Sequence, residues 1–177
     1  MRMGFYPRLA VDGIRKNKRL YIPFLLTCAG MIAMRYIISF LSTASYLDHM
    51  AGGRDMRMIL GMGVGVISVF AAIFLFYTHS FLVRRRKKEF GLYNILGMGK
   101  MNIARIMFWE MLVTAAISLL TGLIAGIAFS KLAELGMVNV LRGAVSYTFL
   151  ISGKVVLDTI RVFGIISVSY THLTLPT

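Results

Sequence analysis

Charge is scarce in this chain: only 15% of its 177 residues are Asp, Glu, Lys or Arg, and just 7 of them are acidic. A water-soluble domain carries about 25%, so a globule of this size would lack the polar surface that keeps it in water. Cysteine is almost missing, and the single Cys28 excludes an internal disulfide framework or a cysteine-built metal site. His49, His79 and His172 stand alone, with no second His or carboxylate at ligand spacing, so no metal centre is expected. A phosphate loop is missing as well. GMGK at Gly97–Lys100 has Asn94 where GxxxxGK[ST] requires its first glycine, and Met101 where it requires Ser or Thr. No catalytic residue and no cofactor is therefore expected, and any ATP must be handled by another chain.

What the chain has instead is long apolar runs. It is 58% hydrophobic with a mean hydropathy of +0.75, and the apolar residues form uninterrupted blocks where one-sided burial would give stripes of period 2 or 3.6. Such blocks call for an apolar solvent, and lipid is the simplest one. A helix rising 1.5 Å per residue needs about 20 residues to cross about 30 Å of hydrocarbon. Three blocks qualify as spans: 20–41, 58–83 and 106–129. The first ends in no small-residue cleavage site and reads as an anchor rather than a signal peptide.

Each span carries a feature of its own. Arg35 is the charge within the first, close enough to the outer end to snorkel, with an interhelical ion pair as the other option. Gly61 and Gly65 in the second, and Gly122 and Gly126 in the third, sit four residues apart, so each pair puts two missing side chains on one helix face and permits close approach of another helix. Glu110 lies just inside the inner end of the third, where snorkelling or a basic neighbour would satisfy it, with a proton-relay role as the remaining option. Beyond it, 130–154 reads as an outer loop with a short interfacial segment. A fourth block begins near Val155, with Asp158 and Arg161 spaced to neutralise each other, but only Val162–Val168 is continuously apolar, so 155–168 is expected to be the start of an incomplete span. The final SYTHLTLPT, 169–177, breaks the pattern and is expected to be a non-native tail.

Charge sets the orientation. Residues 1–19 and 84–105 together hold 13 of the 20 basic residues, whereas Arg54 and Arg57 in the 42–57 loop are offset by Asp48 and Asp55. By the bias of Lys and Arg towards the cytoplasm, the N-terminus and 84–105 lie inside and 42–57 lies outside. Placement at span ends, not on one folded face, also argues against nucleic acid as the partner of this charge.

The segment 84–105, RRRKKEFGLYNILGMGKMNIAR, is the most informative. Arg84, Arg85, Arg86 and Lys87 open a basic run suited to membrane orientation and anionic headgroups. Phe90, Leu92, Tyr93, Ile95 and Leu96 then recur at spacings that gather them on one side of a short amphipathic helix, closed by Gly97 and Gly99. Three readings suit it: a stop-transfer signal, a helix lying on the membrane, or a helix docked into a partner's groove.

The strings RRRKKEFGLYNILGMGK and YPRLAVDGIRKNKRL, the latter followed by YIPFLLTC, resemble the FtsX-like permeases, in particular the bacitracin-resistance branch of ABC transporters. The resemblance runs to about Val168. It implies an all-α, polytopic membrane protein, here with three complete transmembrane helices, a truncated fourth and a cytoplasmic amphipathic coupling helix. It implies further that Lys88, Glu89, Phe90, Gly91, Leu92, Tyr93, Leu96 and Gly97 meet a separate ATP-binding subunit. Members have about ten spans and a large extracellular domain, so this chain reads as an N-terminal fragment that lacks the main peptide-binding region. The function implied is export of, or resistance to, antimicrobial peptides such as bacitracin. The same fold also suits a non-transporting protein that relays the ATPase's state to a sensor histidine kinase or an envelope enzyme.

If the orientation is as read, a membrane-impermeant thiol reagent should leave Lys88→Cys and Gly99→Cys unlabelled in intact cells and label both once the cells are opened. Labelling in intact cells would put the basic segment outside.

Overall fold

The computed structural model describes residues 5–49, 52–95, 97, 99–141 and 152–174, and every regular element among them is helical. In chain order these are α1 (Phe5–Lys16), α2 (Lys18–Ser42), a single 3-10 turn (Ser45–His49), α3 (Gly53–Ile95), α4 (Lys100–Leu141) and α5 (Gly153–Thr174). Three segments are long and apolar enough to cross a membrane: Lys18–Ser42, Gly53–Arg85 and Met101–Asn139.

The N-terminal segment, expected only as a basic stretch, contains a helix. In α1, Ala10 is fully buried and Ile14, four residues on, packs against the core, while the described charged side chains from Arg8 to Lys16 are exposed. That one-sided pattern lets α1 lie along α4 with its charges outward. Asn17 separates α1 from α2, and its carbonyl accepts the N–H groups of Leu20 (2.9 Å) and Tyr21 (3.2 Å) to start the next helix.

Helix α2 is the centre of the bundle. Nearly half of its apolar stretch is buried, 44%, against 11% for α3 and 22% for α4. Tyr21, Phe24, Cys28, Ile32 and Tyr36 follow one another at spacings of three and four and line one face. They pack with Ala71, Leu75 and Leu82 of α3, Leu123 of α4, and Val155 and Phe163 of α5. The cysteine is thus a small buried core residue.

The tightest contact is between α2 and α4. A Cβ placed on Gly122 would lie 2.7 Å from Ile32 Cβ and 2.8 Å from the Ala29 carbonyl oxygen, and one on Gly126 would lie 3.0 Å from Tyr36 Cβ and 3.2 Å from Ala33 Cα. Lipid tails are as apolar as leucine, so helices in a membrane gain most where their backbones come close. Gly61 and Gly65 are differently placed: both are exposed and a Cβ on either meets nothing within 4 Å. Gly63 between them lies nearer to α2, at 3.7 Å from Ile38.

The connection between α2 and α3 is short. Gly52 takes φ +76°, a left-handed conformation open to glycine, and Gly53 tucks directly against the Leu47 carbonyl, where no side chain would fit. Arg57 braces the turn by pairing with Asp48 at 2.8 Å and donating to the Ala44 carbonyl at 3.0 Å.

Helix α5 continues through Ser169–Thr174, where the sequence alone suggested a break. Thr and Ser cost little in a helix, so they do not stop the turns that α5 has begun.

Gly122→Ala should destabilise the protein by about 1–3 kcal/mol, because the added methyl meets backbone rather than a movable side-chain end. Gly61→Ala should stay within about 0.5 kcal/mol of the unaltered protein. Thermal unfolding of the two variants in detergent micelles measures the difference.

Candidate functional site

Arg35 does not snorkel. Its side chain is 3% exposed and turns into the bundle, where all of its guanidinium nitrogens are engaged. Nε donates to Ser68 Oγ of α3 at 2.9 Å, while in α5 Nη1 donates to Thr159 Oγ1 at 3.2 Å and Nη2 donates to Asp158 Oδ2 at 2.8 Å. Ser68 and Thr159 each pass their own hydroxyl hydrogen back to a carbonyl one turn earlier, Val64 and Val155. Both hydroxyl oxygens are thereby held as acceptors facing Arg35. The planar fork of an arginine suits such a three-way junction, which a lysine ammonium could not span. Asp158 therefore serves Arg35 on another helix rather than Arg161 on its own.

The clamp is the more important because α5 is loosely packed elsewhere. An apolar crevice of about 230 Å³ lies between α5 and the rest of the bundle, lined by residues such as Phe24, Cys28, Leu75, Leu119 and Phe163. The guanidinium junction ties α5 down across this gap.

Helix α3 runs without interruption from Gly53 to Ile95, so residues 84–95 extend the second span in line and no separate amphipathic coupling helix is distinguished among the described residues. The reason is local: Arg, Lys, Glu and Leu are good helix formers, and nothing between Val83 and Ile95 stops the helix except the tolerated Gly91. At about 1.5 Å per residue, 12 residues carry the helix about 18 Å beyond Val83. Arg84 and Arg85 are exposed at this exit, and Arg85 stacks its guanidinium over the Phe81 ring at 5.1 Å. Gly91 is exposed, as are Leu92 (57%) and Ile95 (83%). Gly97 takes φ +87° and ends the helix, and α4 restarts at Lys100 with Gly99 accepting the Asn102 N–H at 2.9 Å. Arg86, Lys87, Lys88, Glu89, Phe90, Tyr93 and Leu96 have side chains outside the described set. Among the described residues no group of three or more His, Cys, Asp or Glu could hold a metal ion.

Sequence reasoning missed Ser68 and Thr159 as partners of Arg35. Ser68 is one hydroxyl in an apolar run, and Thr159 is 124 positions away from the charge it serves.

Residues 61–174 match the sequence profile of the family described as FtsX-like permease C-terminal. Among curated proteins, the chain is 29% identical over 160 residues to the uncharacterized ABC transporter permease YvcS of Bacillus subtilis, an alignment covering 89% of this chain and 25% of that protein. It is 25% identical over 157 residues to the bacitracin export permease protein BceB of the same species, covering 88% and 24%. With BceB of Halalkalibacterium halodurans it shares 26% over 123 residues, covering 70% and 19%. The chain thus spans about a quarter or less of the length of these relatives.

Arg35 is buried whereas Asp158 is half exposed, so removing the carboxylate is what strands a buried charge. Asp158→Leu should therefore destabilise the assembled bundle by about 3 kcal/mol, and Asp158→Leu combined with Arg35→Leu should recover a large part of that loss. Unfolding measured in nanodiscs for the single and double variants checks the non-additivity; strictly additive losses would mean the pair is not coupled.

Proposed function

The chain belongs to the FtsX-like permease family, and from that membership we propose that it forms part of the membrane-spanning subunit of an ABC transporter, oriented with its N-terminus in the cytoplasm. A separate ATP-binding subunit supplies the energy, and this chain carries no catalytic step of its own. By likeness to the bacitracin export permeases, the whole protein exports or confers resistance to an antimicrobial peptide of that class, with most of the peptide contacts made by regions beyond this chain.

The observation that supports the reading most directly is the geometry of α3 and α4. Two helices of 43 and 42 residues, each roughly 60 Å long at 1.5 Å per residue, are far longer than the 30 Å or so of hydrocarbon requires. They are joined at the inner end by the few residues from Leu96 to Gly99. An arm that leaves the membrane and returns at once, with Leu92 and Ile95 uncovered on it, has a shape and a surface that a partner protein can grip. In this reading the ATP-binding subunit closes on Lys88 to Gly97, and the displacement passes directly into the second and third spans because no hinge intervenes on α3. Gly97 is the reversal point, held in a conformation that branched side chains avoid.

With the full-length permease purified together with its ATP-binding subunit, Glu89→Ala, Phe90→Ala and Gly97→Val should each reduce peptide-stimulated ATP turnover to about the level without peptide and abolish resistance in cells, while leaving the complex assembled on gel filtration. Full resistance in all three variants would remove the coupling role from this segment.

A further inference from the structure

The crevice between α5 and the rest of the bundle has a floor, two sides and a mouth. Phe24, Cys28 and Ile32 of α2 and Leu75 of α3 form the floor, and all four are buried. Helix α4 stands on one side and α5 on the other. The lining residues that are exposed are Ala116 of α4 and Gly164 and Val168 of α5, so the mouth lies between those two helices. Small residues keep it open: a Cβ added at Gly164 would meet nothing within 4 Å.

Water does not suit this space. A volume of about 230 Å³ would hold several molecules, each needing about two to four polar partners. The described lining offers only the Cys28 thiol and the hydroxyls of Ser118 and Ser167. An empty space of this size would forfeit the dispersion contacts of its walls. The occupant it fits is therefore apolar.

Dimensions narrow the choice. Phe24 and Ile32 are eight residues apart, about 12 Å at 1.5 Å per residue. A volume of about 230 Å³ over that height gives a mean section of about 19 Å². An α-helix with its side chains is at least about 10 Å across, a section of about 80 Å². A further helix cannot enter such a slot, whereas one unbranched hydrocarbon chain can. The walls contributed by α2, α3 and α4 lie within the segments long and apolar enough to cross a membrane, so what stands outside the mouth is bilayer hydrocarbon.

From this geometry we propose that the crevice is a binding site for one acyl chain of a membrane phospholipid, which enters between α4 and α5 and lies against the buried face of α2. Filling the slot restores to Phe24, Cys28, Leu75 and Phe163 the contacts that an empty space denies them. Helix α5 is then held at two levels, by the Arg35 junction at Asp158 and Thr159 and by the lipid chain from Phe163 onward. The inference depends on the spans lying in lipid and not on which solute the permease moves.

The test is photocrosslinking of the full-length permease, with its ATP-binding subunit, in phosphatidylglycerol nanodiscs. One preparation contains phosphatidylglycerol with a diazirine midway along an acyl chain, the other the same lipid with the diazirine on its headgroup. Peptide mapping should find the chain probe on the segment containing Cys28, although that side chain is only 4% exposed, and should not find the headgroup probe there. Gly164→Leu and Ala116→Leu each place a larger side chain at the mouth and should lower this labelling by about fivefold or more, as overpacking a filled site does. Leucine is a good helix former and both positions are exposed, so the two variants should fold; either one alone decides the outcome. A Cys28 segment that the chain probe leaves unlabelled would overturn the proposal, since the slot is then closed by side chains from other spans. Equal labelling by the headgroup probe, or labelling unchanged in both variants, would overturn it too.

Discussion

The arrangement of this bundle depends on one requirement: the guanidinium of Arg35, buried about two turns from the C-terminal end of α2, must find its partners on other helices. An arginine at the centre of a bilayer costs on the order of 3 kcal/mol even by insertion scales that permit relief. Here relief comes from three side chains on two other helices, Ser68, Asp158 and Thr159. Because the donors of arginine are fixed in a plane, satisfying them sets not only which helices meet but also their rotation and depth. Helix α5 in particular, separated from the bundle by an apolar crevice, takes its register from Asp158 and Thr159.

The opposite flank of α2 is held by different physics. Gly122 and Gly126 bring α4 against the backbone at Ala29 and Ala33, so cohesion there is dispersion between closely spaced chains. The central helix is therefore clamped by a polar junction on one side and by shape on the other. By contrast α3 leaves most of its apolar surface open, including Met58, Ile59, Met62, Val66 and Phe70. Such a surface suits acyl chains or further helices.

Much of this architecture was legible because the bilayer imposes a length on apolar runs. The blocks 20–41, 58–83 and 106–129 fall inside α2, α3 and α4. Apolarity marks where hydrocarbon lies, though, and says little about where a helix stops. Arg84–Glu89 is charged yet strongly helix-forming, so α3 passes through it, and the short amphipathic helix expected there is the end of a long one. Helix α1 escaped notice because its apolar face is short and flanked by lysines and arginines. The Arg35 junction was out of reach for another reason: local spacing favoured Asp158 with Arg161, whereas the observed partner is 123 positions away and meets it only after the helices assemble. Likewise His79 looked solitary in the sequence and lines a cavity with Glu110 in the fold.

The unbroken course of α3 has a mechanical corollary. Ser68, where Arg35 pins it, lies 15 residues from Gly53 and 27 from Ile95, or about 22 Å and 40 Å at 1.5 Å per residue. A stiff rod fixed at such a point tilts like a seesaw with unequal arms. A sideways excursion of the Ile95 tip reappears at the Gly53 end reversed in direction and at little more than half its size.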